Sequence, residues 1–255
     1  GPMNKGDFKK ITIPKGVTQV TETLQNAGFE AFLVGGCVRD VFRGETPKDW
    51  DVTTNAKPEE IIPLFEKTFY ENTFGTVGVV IQKEGEEDEI VEVTPYRLEG
   101  SYSDGRHPDQ VSFSTKIEDD LKRRDFTVNS IAYDPSNGHI VDPYKGQEDL
   151  NSKTIRAVGD AGERFSEDGL RIMRAVRLAS ELGFMINSDT ETALLSHRDM
   201  LSKIALERIR DEFNKLIMSK TPMIGLIMCQ KMGILPYIIP KLEEGLHMKQ
   251  NQAHA

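Results

Sequence analysis

Asp49 and Asp51 stand two apart, shortly after the segment Leu33-Val34-Gly35-Gly36-Cys37-Val38-Arg39-Asp40. Side chains alternate along a strand, so if residues 49–51 are extended both carboxylates share one face. Two carboxylates on one face repel each other unless a cation lies between them. A small set of oxygen ligands suits Mg²⁺, which keeps waters and completes its shell with substrate phosphate. The Gly35-Gly36 turn, read as the opening of a helix, leaves backbone N–H groups bare where an anion is favoured. Taken singly, Gly-Gly is more often only a turn and Asp-x-Asp more often a solvated edge. Their order and spacing together point to a phosphate cradle beside a metal-binding pair, which is nucleotide chemistry.

Three further groups of residues fit that chemistry. Glu92 lies in the alternating stretch Ile90-Val91-Glu92-Val93-Thr94. It is either the third carboxylate of a metal site or an ordinary exposed strand position. Arg123 to Ser130 joins two arginines, whose forks match phosphate oxygens, to Asp125 and Asn129, which suit ribose hydroxyls. The plainer alternative is a helix with a charged first turn. In Glu167-Asp168-Gly169-Leu170-Arg171-Ile172-Met173-Arg174, Asp168 and Arg171 are three apart and share one face if the segment is helical. They form either a weak surface ion pair or a base reader. A carboxylate beside a guanidinium sets an acceptor next to a donor, which complements cytosine and adenine. Uracil and guanine present the opposite order and would leave polar groups unpaired.

The elements needed to position these groups are legible as patterns. Val17, Val20, Leu24 and Ala27 step at helical spacing up to Gly28, and Glu30 to Val34 reads as a strand. Pro58 to Lys67 reads as a second amphipathic helix. Thr76 to Gln82 and Ile90 to Pro95 read as a hairpin, Glu99 to Asp109 as a loop, and Val111 to Ser114 as a strand. From about Ala161 only helices are expected, with Leu170, Met173, Val176 and Leu206, Ile209, Phe213, Leu216 in register. The fold class expected is therefore an α+β head, a mixed β-sheet with helices, followed by an all-helical part.

Bulk properties bound the alternatives. Hydrophobic residues at 38% and charged residues at 29% of 255 describe an ordinary folded chain with room for a real core. No run reaches the length of a membrane span and no signal peptide opens the chain. Gly1-Pro2 ahead of Met3 reads as a protease scar, and the end at Ala255 reads as cut. Cys37 and Cys229 make neither a metal spacing nor a disulfide framework, so a cytoplasmic home is expected. His107, His139, His197, His247 and His254 do not pair at metal-ligand spacing. A net charge of −9 argues against nucleic-acid binding by the whole surface, yet Lys122-Arg123-Arg124 and Arg164, Arg171, Arg174, Arg177 are locally basic.

In this order the motifs resemble the class II tRNA nucleotidyltransferases, the bacterial CCA-adding group of the nucleotidyltransferase/poly(A) polymerase family. The resemblance implies that Gly35, Gly36, Arg39 and Asp40 lie near the triphosphate, with Asp49 and Asp51 as ligands of Mg²⁺. It implies that 104–108 (Asp-Gly-Arg-His-Pro) forms a flexible loop, and that Arg124, Asp125 and Asn129 bind ribose and phosphate. Asp142-Pro143, Gly146 and Asp149-Leu150 correspond to a head-to-neck hinge. Glu167, Asp168, Arg171 and Arg174 correspond to the nucleobase template, and Ala205 to Ile209 to the last neck motif. The resemblance further implies a catalytic head at 3–158, a helical neck at 159–220 and the start of a helical body at 221–255. It implies CTP, ATP and the tRNA 3′ end as partners, with no membrane and no protein partner. A poly(A) polymerase or an A-adding tRNA nucleotidyltransferase would share the same head and neck.

Overall fold

Position by position, the sequence patterns become two units in a computed structural model that describes residues 12–71, 75–98 and 112–254. The first unit runs to Ser152 and the second from Lys153.

The first unit contains α1 (Lys15–Asn26), β1 (Ala31–Val34), α2 (Gly36–Phe42), β2 (Asp51–Thr54), α3 (Pro58–Ile61) and β3 (Thr68–Tyr70). There follow β4 (Val77–Ile81), β5 (Glu89–Pro95), α4 (Ile117–Lys122), β6 (Ala132–Tyr133), β7 (Ile140–Val141) and α5 (Gly146–Asn151). Its sheet has the order β3-β4-β5-β2-β1-β6-β7. β2 and β5 run parallel, and the other neighbouring pairs are antiparallel. α1 buries Val17, Val20 and Leu24 on one stripe, and Gly28 at φ 93° turns the chain into β1. The helix expected over 58–67 stops at Ile61 and tightens into a 3₁₀ turn over Ile62–Leu64. Pro63 has no N–H to donate and cannot extend an α-helix. A bend over residues 65–67 then leads into β3, an edge strand that the sequence pattern did not announce. The expected strand at 111–114 reduces, among the described residues, to one antiparallel bridge between Arg97 and Phe113.

β1 is buried on both faces. Leu33 joins Val20, Leu24, Val38, Val52, Val79, Val91 and Val93 on one side. Phe32 and Val34 join Tyr96, Leu121 and Ala132 on the other. Further along the sheet, β5 alternates: Val91 and Val93 are buried while Glu92 and Thr94 are half-exposed. That half-exposed face carries the chemistry.

The second unit contains β8 (Thr154–Ile155), α6 (Ala161–Glu167), α7 (Leu170–Leu182), β9 (Met185–Ile186), α8 (Ser188–Ser196), α9 (Leu206–Ile217), α10 (Pro222–Lys231) and α11 (Leu235–His254). α7 packs on α9 and α10, with Ile172, Met173, Val176, Ile209 and Leu216 buried. It is not purely helical: β8 and β9 form a short parallel pair. Gly183 at φ 71° ends α7, after which the Met185 N–H donates to the Lys153 carbonyl at 3.0 Å. Among the described residues no single helix is long and apolar enough to cross a membrane.

Candidate functional site: a carboxylate row on an open sheet face

The strand expected across both aspartates begins only at Asp51, and Asp49 stands exposed in a bend just before it. The parallel β2–β5 register sets Glu92 directly opposite Asp51. Paired residues share a face, so the two carboxyl groups meet. Burial pushes the Asp51 carboxyl above its ordinary range, while the Arg124 charge and a hydrogen bond from Glu92 pull it down and the Asp49 and Glu71 charges push it up. Glu92 is pushed up to about 8, first by burial, then by hydrogen bonding to Glu71 and by the negative charge of Asp51. Burial and the neighbouring carboxylates thus shift Glu92 toward its protonated form.

Among the described residues no three His, Cys, Asp or Glu side chains are gathered as a ready metal site. Neighbouring carboxylates repel each other, so this group favours either a proton or a cation between its members. All the donors here are hard carboxylate oxygens, and a divalent cation among them fits their chemistry. Glu71, which follows the edge strand, is part of this group and was missed by sequence reading. No local spacing links it to Glu92.

Beyond β2 in the sheet lies the glycine turn. Gly35 caps α2 at φ 81°, a conformation that favours glycine. A Cβ there would come within 3.5 Å of Arg124 Nη1, so the guanidinium lies against the turn. Arg124 Nη2 donates to Asp120 at 3.0 Å and Arg123 Nη2 donates to the same carboxylate at 2.8 Å. Asp120 is fully buried. Burial alone would raise it, but the two guanidiniums outweigh burial and hold it below the usual carboxylate range. The sequence did carry a signal for this anchor, since Asp120 precedes the arginines by three and four on α4. Arg39 Nη1 donates to Asn129 Oδ1 at 2.9 Å, and Asn129 Nδ2 reaches Asp125 Oδ1 at 3.4 Å. Arg39, Arg124, Asp125 and Asn129 thus cluster around the turn. Asp40 instead accepts from Arg39 and Arg43 on its own helix. The segment 123–130 is not a helix with a charged first turn. α4 ends at Lys122, and Thr127–Asn129 is a separate 3₁₀ turn. α5 clamps that turn: Thr127 Oγ1 donates to Asp149 Oδ2 at 2.6 Å, and Asp142 accepts from the N–H groups of Gly146 and Gln147 at 2.7 and 3.0 Å.

In the second unit the segment 167–174 is not one helix. α6 ends at Glu167, and Asp168 is extended at φ −152° and ψ 106°. Its carboxylate accepts from the Leu170 N–H at 3.1 Å, capping α7. Asp prefers such a cap to a helix interior. Asp168 and Arg171 therefore do not share a helix face and do not pair. Asp168 is held by both Nη atoms of Arg208, at 2.6 and 3.2 Å. Arg171 donates to Glu167 at 2.7 Å and to the Arg164 carbonyl at 3.1 Å. Arg174 turns to Glu212 of α9, which Arg177 also holds. Burial would raise Glu212, but Arg177 and Arg174 bring its carboxyl below the ordinary range. Arg208 and Glu212 lie about forty residues away in sequence, and spacing gave no sign of either. The expected loop at 104–108 lies outside the described residues.

Two family models match the chain: the poly A polymerase head domain over residues 31–156, and a probable RNA and SrmB-binding site of polymerase A over 183–246. A CCA-adding enzyme of Lactiplantibacillus plantarum is 46% identical over 208 residues, covering 81% of this chain and 50% of that protein. A crystal structure of the Bacillus stearothermophilus CCA-adding enzyme with CTP is 37% identical at TM-score 0.79, over 91% of this chain and 54% of that one. A tRNA nucleotidyltransferase structure with a primer tRNA and an ATP analog is 26% identical at TM-score 0.70, over 86% and 62%. The chain spans about half the length of the curated relatives it matches. With both models matched in order along one chain, it belongs to the nucleotidyltransferase/poly(A) polymerase family, in the group of the class II CCA-adding enzymes.

Proposed function

We propose that this chain carries the catalytic part of an enzyme that adds C, C and A in turn to the tRNA 3′ end. It would use CTP and ATP without a nucleic-acid template and release pyrophosphate. The observation that carries this reading is the Asp51–Glu92 row, flanked by Asp49 on one side and by Gly35 with Arg124 beyond β2. It stands in a chain whose relatives are CCA-adding enzymes.

Asp49 and Asp51 would hold Mg²⁺, with Glu92 as a third carboxylate. Mg²⁺, when bound, stabilises the attacking and leaving oxygens of the in-line displacement at the α-phosphate. Arg124, fixed by Asp120, and Arg39, fixed by Asn129, present guanidiniums to phosphate oxygens. Asp125 and Asn129 offer an acceptor and a donor to ribose hydroxyls. Asp168 and Arg171 are the proposed base readers, with Glu167 holding Arg171 and with Arg174 beside it on α7. Residues 3–158 would form the head, 159–220 the neck and 221–255 the first part of the body. With tRNA as its substrate, the enzyme would work in the cytoplasm, where both free cysteines stay reduced.

The family models are described by poly(A) polymerase, so that activity, or A addition alone, is the second reading. One assay separates them. The chain is incubated with Mg²⁺, labelled CTP, ATP, UTP or GTP, and tRNA lacking its 3′ end. Two C and one A in sequence support CCA addition; long A tails support the polymerase. Absence of any incorporation, here and in a full-length version, overturns both.

A further inference from the structure

The open face of the sheet ends in an aromatic side chain that the carboxylates do not account for. On edge strand β3, Phe69 pairs with Gly78 of β4. Gly78 pairs with Glu92 of β5, and Glu92 with Asp51 of β2. Directly paired residues point to one face, so Phe69, Glu92 and Asp51 stand in a line across four strands with Gly78 as the gap. A Cβ at Gly78 would collide with the Phe69 ring, and the ring atoms nearest it are Cζ, Cε1 and Cε2. The tip of the ring therefore reaches off the edge strand, over Gly78, toward the strand that carries Glu92. Phe69 is nevertheless 41% exposed.

The order of elements along the sheet assigns the ring a side. Gly35 and Arg124, the proposed phosphate groups, lie at the end of β1. The carboxylates stand on β2 and β5, and the ring comes from β3 at the opposite edge. In an in-line displacement the leaving and attacking oxygens lie on opposite sides of the reacting phosphorus. If pyrophosphate leaves toward Gly35 and Arg124, the RNA hydroxyl arrives from the side of Phe69. Unpaired bases of RNA stack on exposed aromatic rings, and such stacking tolerates any base. That tolerance suits an acceptor whose last base changes with each addition.

We propose that Phe69 is the stacking platform for the terminal base of the RNA strand being extended at the carboxylate row. This rests on the nucleotidyl-transfer reading above. The probe is a short single-stranded RNA with 2-aminopurine as its 3′-terminal base, titrated into the chain without nucleotide so that no reaction follows. Wild-type protein and Phe69→Trp quench its fluorescence with similar affinity. Phe69→Leu keeps apolar cover over Gly78 but cannot stack, and binds roughly 5- to 100-fold more weakly. An unchanged Tm for Phe69→Leu shows that the fold is kept. In turnover, Phe69→Leu raises the KM for RNA and leaves the KM for CTP in place. No quenching by wild-type protein, or equal binding by Phe69→Leu, overturns the platform. Phe69-dependent quenching without any nucleotide incorporation keeps the platform and sinks the catalytic reading. Incorporation that Phe69→Leu leaves untouched does the reverse.

Discussion

Asp51 faces Glu92, Glu71, Asp49 and Arg124 at once, so its replacement acts on charge more than on packing. Asp51→Asn keeps the side-chain shape and removes a ligand charge. It is expected to lower nucleotide incorporation by about 10³-fold, the scale of several kcal/mol of lost charge stabilisation. Steady-state rates with CTP check this, and a change under tenfold would count against a metal role for Asp51. Asp168 has two partners, the Leu170 N–H and Arg208. Asp168→Ala is expected to relax the preference for CTP and ATP over UTP and GTP more than it weakens triphosphate binding. Competition assays with all four nucleotides decide it, and equal losses for all four would remove Asp168 from base reading. Arg171 is already tied to Glu167, so a base can meet the Asp168–Arg171 edge only by sharing or displacing the Arg208 and Glu167 contacts.

Elements in this protein are fastened by buried charges and by close glycine contacts. Asp120 of α4 holds the two arginines that follow the helix, and α7 is tied to α9 through Glu212. Both carboxyl groups sit below their usual range in the folded chain. A depressed folded value contributes stability that is present above the unfolded values of about 3.9 and 4.3 and is lost as pH falls through and below them. These two groups are therefore expected to make Tm fall once pH drops below about 4.5, while the raised Glu92 carboxyl works in the opposite sense as pH rises above about 4.3. In Asp120→Asn the acid-side fall shrinks while Tm at pH 7 drops, because the two arginines lose their buried counter-charge. A variant with the wild-type acid profile would contradict this. At Gly146 a Cβ would collide with the Thr127 carbonyl oxygen and crowd Ile131. Gly146→Ala is expected to cost about 1–3 kcal/mol in overpacking, read by urea unfolding. It should also raise the KM for nucleotide, since the turn it presses on carries Asn129.

At the scale of the whole chain, the proposed activity predicts selective stabilisation by ligand. With Mg²⁺ present, CTP or ATP at a hundredfold excess over Kd adds about 2.7 kcal/mol, a Tm rise of about 5 °C or more for a chain of this size. UTP and GTP should raise it less. Equal shifts for all four nucleotides would leave phosphate binding intact and remove base choice from this chain.

Whatever is local in the chain was legible from its residues. The Gly35 turn before α2, the alternation that exposes Glu92, the α7 and α9 stripes and the ordered motifs all depend on neighbours within a few positions, where spacing and backbone preference act directly. Pro63 and Asp168 belong to the same class: each breaks a helix by its own backbone chemistry, although the periodic pattern concealed it. What tertiary structure alone decided is non-local. The parallel register of β2 on β5 brings Glu92 to Asp51, β3 brings Phe69 over Gly78, and α9 supplies Arg208 to Asp168 and Glu212 to Arg177. Strand register and helix packing are set by the burial of whole faces, so no short window of sequence contains them.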